Sequence, residues 1–119
     1  MLSATAAEHV HSPRNVGPLP GATHIGNIGT PGDGPYMTLW FEFDGDHIKN
    51  AAWAANSCPS SMACASMTAQ ILKGRTVEQA LLLTAGDLDL LLGGLPEGKG
   101  ACAQRAIDAV RKAFGGKES

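Results

Sequence analysis

Three cysteines, four histidines and a glycine-flanked aspartate are the side chains of this 119-residue chain with the most chemistry to offer. Cys58 lies in Asn56-Ser57-Cys58-Pro59-Ser60-Ser61-Met62, where an alternating pattern gives way to one of period three to four. A thiol at such a junction stands at a helix start, where unpaired N–H groups and the helix dipole favour the thiolate. That suits a nucleophile or a metal ligand; packing as a small core residue is the competing reading. Cys102 has the same context, following the loop Leu95-Pro96-Glu97-Gly98-Lys99-Gly100 and opening the last helix. If the two helix starts converge, two thiolates face one point, which is a metal-site arrangement. Cys64 falls inside the first of these helices and is expected to pack in the core. Asp33, in Gly32-Asp33-Gly34, reads either as a turn residue or as a carboxylate ligand on a loop. His9 and His11 fall in an N-terminal arm and His47 follows a turn, so the histidines are expected mostly at the solvated surface. No Ser/His/Asp elbow, phosphate loop or dinucleotide fingerprint is present, and nothing suggests a triad or acid–base pair. An enzyme is therefore not expected.

Composition narrows the setting. The length fits one domain over residues 1–119, with residues 1–22 as a flexible arm and 115–119 as a tail. Net charge is −2, and the nine Lys and Arg are scattered, which argues against nucleic acid or an anionic membrane as partner. Three cysteines make no even disulfide framework and point to a reducing compartment. The N-terminus lacks a basic region and a long apolar run, and no stretch reaches the length of a membrane span. A cytoplasmic domain is the expectation.

The elements that must position these residues follow from periodicity. Residues 9–35 are dense in Gly and Pro and read as an extended arm with turns, with a short strand near Thr23–Asn27. Tyr36–Phe43 alternates, with Met37, Leu39, Phe41 and Phe43 on one face. Asp44-Gly45-Asp46 marks a turn, and Ile48–Ala55 returns as the second half of a hairpin. From Ser60 a helical stripe of Met62, Ala65, Ser66, Ala69 and Leu72 runs to Gly74, with Ser60 or Ser61 available as cap. Thr76-Val-Glu-Gln79 and Thr84-Ala-Gly-Asp87 open two short helices, the first in capping-box form. A final helix is predicted from about Ala101 to Phe114, with Cys102, Ala106, Ala109, Val110 and Ala113 inward. Strands first and helices after predict an α+β fold: a three-stranded antiparallel meander with helices on one face.

Four segments, in order and at matching spacing, resemble the U-type iron–sulfur cluster assembly scaffold family, IscU and the N-terminal domain of NifU. They are Pro13-Arg14-Asn15-Val16-Gly17; Gly29-Thr-Pro31-Gly-Asp33-Gly34-Pro-Tyr-Met37-Thr-Leu39, against G-x-P-x-C-G-D-x-M-x-L; Ala51-Ala-Trp53 and Cys58 with Lys73-Gly74-Arg75-Thr76; and Leu95-Pro96-Glu-Gly-Lys99-Gly-Ala101-Cys102 with Ala106 and Asp108-Ala109. The departures concentrate at the ligands. The family presents three cysteines and a histidine, with an aspartate near the first cysteine. Cys58 and Cys102 match the second and third cysteines. Asp33 stands at the first without a gap, Pro35 at the aspartate and Ala101 at the histidine. A small gap instead aligns Gly32-Asp33 with the family's G-D and removes the cysteine altogether. Cys64 falls where the family has serine.

A [2Fe–2S] cluster takes four protein ligands, preferably thiolates. The resemblance thus implies a divergent scaffold that binds iron or a [2Fe–2S] cluster through Cys58, Cys102 and Asp33, or accepts sulfur on Cys58 or Cys102 from a cysteine desulfurase. A homodimer sharing one metal site is a variant, and acceptor apoproteins would be the recipients. The alternative is a degenerate scaffold fold that holds Zn²⁺ or binds a partner without assembling clusters. Leu95–Lys99 keeps the ends of the family's chaperone-binding L-P-P-V-K but not its middle.

Overall fold

The computed structural model describes residues 3–11, 15–30, 34–56, 58–95 and 99–114. Its elements are α1 (Ala4–His11), β1 (His24–Ile28), β2 (Met37–Asp44), β3 (His47–Ala55), α2 (Pro59–Leu72), α3 (Val77–Leu81), α4 (Ala85–Leu91) and α5 (Gly100–Ala113). The strands form one antiparallel sheet in the order β1-β2-β3. The architecture is α+β, and the meander is the predicted one.

Alternation along β2 sets which face is covered. Met37, Leu39 and Phe41 are fully buried, and Leu39 pairs with the buried Trp53 on β3. That face meets α2 and α5, whose inward residues are mostly alanine and share one core with the strands. Small residues bring backbones close. At Gly26 an added Cβ would lie 1.8 Å from the Ala109 carbonyl oxygen, so only glycine lets β1 lie against α5 here. The hairpin turn is equally local in origin, because Gly45 takes φ 66° between paired Asp44 and His47.

α2 is the central helix. Ser60, Ser61, Ala63 to Ala69 and Leu72 are all buried, so it is enclosed on nearly every side rather than along one stripe. The predicted Thr76–Gln79 capping box is formed, and Thr84 and Asp87, expected only to open a helix, make the same reciprocal bonds. They start α3 and α4 sharply and give the short helices fixed ends.

The N-terminal stretch departs from the expected arm. Residues 4–11 form α1, which packs on α2 through Ala6 and His9. Its start is tied down by the Ser3 hydroxyl, which donates to the Leu92 carbonyl. After α1 the chain runs beside β3: Gly17 N–H donates to the Trp53 carbonyl at 2.7 Å, and Trp53 N–H to the Asn15 carbonyl at 3.0 Å. The glycine and proline density begins only past the end of α1. Pro13 and Arg14, Pro31 to Asp33, Pro96 to Gly98 and the tail lie outside the described residues.

Candidate functional site

Cys58 occupies the N-cap of α2, with extended φ −67° and ψ 123°, and Pro59 follows as a first helical residue. Proline is suited there because its missing N–H would be unpaired in any case. The next turn is closed by Met62 N–H donating to the Cys58 carbonyl at 3.0 Å. The expected caps, Ser60 and Ser61, lie inside the helix instead, both buried. At the other helix start, Lys99 is the N-cap of α5 and Cys102 N–H donates to its carbonyl at 3.0 Å.

Docking α2 against α5 brings the two helix starts together. The Ser61 hydroxyl, 1% exposed, donates to Cys102 Sγ at 3.3 Å. Arg105 Nη1 in turn donates to Ser61 Oγ at 3.3 Å. Lys99 Nζ stands 3.9 Å from Cys58 Sγ, at the solvent-facing side of the site. Ser61 follows Cys58 by three residues, Arg105 follows Cys102 by three, and Lys99 precedes Cys102 by three. Each pair therefore shares a helix face or its capping turn. Such spacings were the available signal for these three residues as site residues; sequence reasoning had named Ser61 only as a helix cap and Lys99 only as an end of the Leu95–Lys99 segment, and Arg105 not at all.

The electrostatics separate the thiols. Cys58 is held below the ordinary thiol value, chiefly by the Ser61 backbone N–H. Partial burial opposes this, while the Ser60 N–H, the Lys99 ammonium and the Ser61 hydroxyl add to it. The helix start thus favours the anion through its free donors. Cys64, fully buried, is pushed up to about 12 by burial, with the Cys102 sulfur, Asp89 and the Cys58 sulfur adding to the rise against Arg105. It is a packing residue in its surroundings. Cys102 is 6% exposed and Cys58 half-buried, so the paired sulfurs differ in access.

Asp33 lies outside the described residues. Among those described, no three His, Cys, Asp or Glu side chains gather to hold a metal ion, so two thiols are the donors this region offers. The histidines are elsewhere. His9, expected at the surface, is 3% exposed, with Nδ1 2.8 Å from the Ser66 hydroxyl across the α1–α2 contact. His24 packs against Phe43 with ring centroids 4.7 Å apart. His11 and His47 are exposed, and His47 lies 2.8 Å from the Asp46 carboxylate. A groove of about 490 Å³ between α2, α3 and α4 is lined by Ile71, Leu82, Leu83, Leu90 and Leu91 and contains none of the cysteines.

A meander with α2 and α5 presenting one cysteine each at their starts defines a U-type scaffold fold. The family model of the NifU-like N-terminal domain matches residues 2–116, and the chain belongs to that family. It is 34% identical over 114 residues to the iron–sulfur cluster assembly scaffold protein IscU 1 of Archaeoglobus fulgidus, covering 96% of this chain and 74% of the relative. It also matches the zinc-dependent sulfurtransferase SufU of Bacillus subtilis at 33% identity over 86 residues, 72% of this chain and 58% of that one. Among solved structures, one described as a SUF-system cluster assembly scaffold protein from Fervidobacterium islandicum superposes with a TM-score of 0.74 at 18% identity, covering 94% of this chain and 95% of that one. That likeness supports the fold. The chain is a protein of the iron–sulfur cluster assembly scaffold type. No helix among the described residues is long and apolar enough to cross a membrane.

Proposed function

We propose that this chain takes part in iron–sulfur cluster assembly as a two-thiol scaffold, receiving sulfur and holding iron or a [2Fe–2S] cluster as cargo through Cys58 and Cys102. The observation that carries this reading is the bridge at the two helix starts. Ser61, three residues beyond Cys58, donates to the Cys102 sulfur at 3.3 Å, and so ties the cysteine-bearing ends of α2 and α5 together. Two thiolates supply half of a cluster's ligands. The remainder would come from Asp33, from a second copy that offers its own Cys58 and Cys102, or from a protein docked on the site. A cysteine desulfurase as sulfur donor and apoproteins as recipients fit the family. Three free cysteines fit a reducing compartment, and the cytoplasm is the proposed setting. Cargo bound and handed on makes this a carrier rather than an enzyme.

Anaerobic reconstitution with ferrous iron and sulfide, followed by absorption and Mössbauer spectra, tests the reading. Wild type should form a cluster, and Cys58→Ala and Cys102→Ala should each lose it. A full cluster on Cys58→Ala would refute it. A second reading, zinc held at the same thiols, is favoured by the similarity to the zinc-dependent SufU. Stoichiometric zinc after anaerobic purification, with no cluster uptake, would select it.

A further inference from the structure

The two thiols are chemically unequal in their surroundings. Cys58 is half-buried, stands before the first helical turn and has a lysine beside it. Cys102 is 6% exposed, so a bulky donor meets Cys58 first. Between them lies a single hydroxyl. Ser61 Oγ donates to Cys102 Sγ at 3.3 Å, also bears on the Cys58 sulfur, and is held from its far side by Arg105 at 3.3 Å. Arg105 can only donate, so it occupies the Ser61 oxygen and leaves the hydroxyl hydrogen for the sulfurs.

From this arrangement we infer that sulfane sulfur received on Cys58 is passed inward to Cys102, with Ser61 and Arg105 as the positioning residues of the relay. The inference rests on the sulfur-accepting reading above and adds a direction to it. In the step, the Cys102 thiolate attacks the outer sulfur of the Cys58 persulfide. A bond forms between that outer sulfur and Cys102 Sγ. The bond from the outer sulfur to Cys58 Sγ breaks, and its electron pair leaves on Cys58 Sγ as thiolate. The proton given up by Cys102 is matched by the one Cys58 can take, so neither oxidant nor reductant is consumed. The persulfide extends the reach of Cys58 by one sulfur–sulfur bond, about 2 Å. The result is a half-buried but accessible thiol ready to be loaded again and a sulfur stored where solvent nucleophiles reach it poorly.

Glutathione persulfide, a donor too large to reach a nearly enclosed thiol directly, is the probe. After a brief anaerobic exposure and removal of the reagent, peptide mass mapping over time follows the added sulfur at each cysteine. Wild type should show it first on Cys58 and then on Cys102, with the migrated fraction resistant to cyanide. Cys102→Ser should keep it on Cys58, open to cyanide. Cys58→Ser should leave Cys102 unloaded. Ser61→Ala, once loaded on Cys58, should pass its sulfur to Cys102 about tenfold more slowly than wild type, the effect of losing one hydrogen bond to a charged group. Arg105→Lys should migrate faster than Arg105→Ala. Cys102 loading as fast in Cys58→Ser as in wild type would overturn the relay. So would sulfur that stays on Cys58 in wild type, which would leave the sulfur-accepting reading intact. Failure of every cysteine to take sulfur, from this donor and from a desulfurase alike, would overturn both.

Discussion

Cys58 and Cys64 are six residues apart at one end of the same helix, yet their surroundings pull them in opposite directions. Cys58 meets backbone donors and an ammonium and is drawn below the ordinary thiol value. Cys64, less than two turns later, lies fully buried within the shared core and is pushed up to about 12. The residue type is the same in both places. What differs is position relative to the helix start: free N–H groups serve the first turn only, and past it a buried thiolate has nothing to replace water.

The most severe way to probe that contrast is to force a charge on both positions. Cys64→Asp should cost about 3–5 kcal/mol in urea unfolding, since burial at this position outweighs the attraction of Arg105. Cys58→Asp should leave stability unchanged or raise it by up to about 1 kcal/mol, because aspartate is a good N-cap and complements the dipole. Equal losses at both positions would remove the distinction.

A pH series sharpens it further. Folded Cys64 keeps its proton to about 12, whereas the unfolded thiol loses it near the ordinary value of 9.0. Ionisation therefore favours the unfolded chain. The Cys64 contribution is complete below that ordinary value and falls as pH rises toward 12. Wild type minus Cys64→Ala should lose about 1.4 kcal/mol of stability per pH unit across this window. The sign is reversed at Cys58. Its folded value is depressed, so its contribution is present above the unfolded value and fades as pH falls through the folded one. This contribution should be small, because the group is partly solvated. The smallest expected effect is at Lys99. Lys99→Ala should move the pH midpoint of Cys58 alkylation upward, and salt should move wild type in the same direction. A downward shift would mean that the ammonium does not face the sulfur in solution.

How much of this was legible beforehand depends on the range of each signal. The hairpin at Asp44–Asp46 and the Thr76–Gln79 capping box are written within four residues, and both formed as read. Helix α1 was missed because the Gly- and Pro-rich reading was carried back across His9 to residues that contain neither. Burial of His9 arises only once α1 lies on α2 and Ser66 receives its ring. At the site, Cys58 and Cys102 stood out by their helix-start context. Ser61 stood out only as a helix cap and Arg105 not at all, because their place beside the thiols arises when α2 and α5 dock. Their three-residue spacing from a cysteine was the one trace in the sequence. The family register supplied Asp33, which no short-range pattern would have chosen over a turn residue.

Thiol protection in the loaded protein tests the central claim most directly. The protein is reconstituted anaerobically with iron and sulfide, exposed to iodoacetamide, then unfolded and labelled with a second, heavier alkylating reagent before peptide mapping. Cys58 should carry the first label in the empty protein and the second in the loaded protein, whereas Cys102, 6% exposed, is the poorer target in either state. Cys64 should carry the second label in both. First-label modification of Cys58 in a cluster-loaded sample would contradict the account, because the cargo would then be held without the thiol at the start of α2.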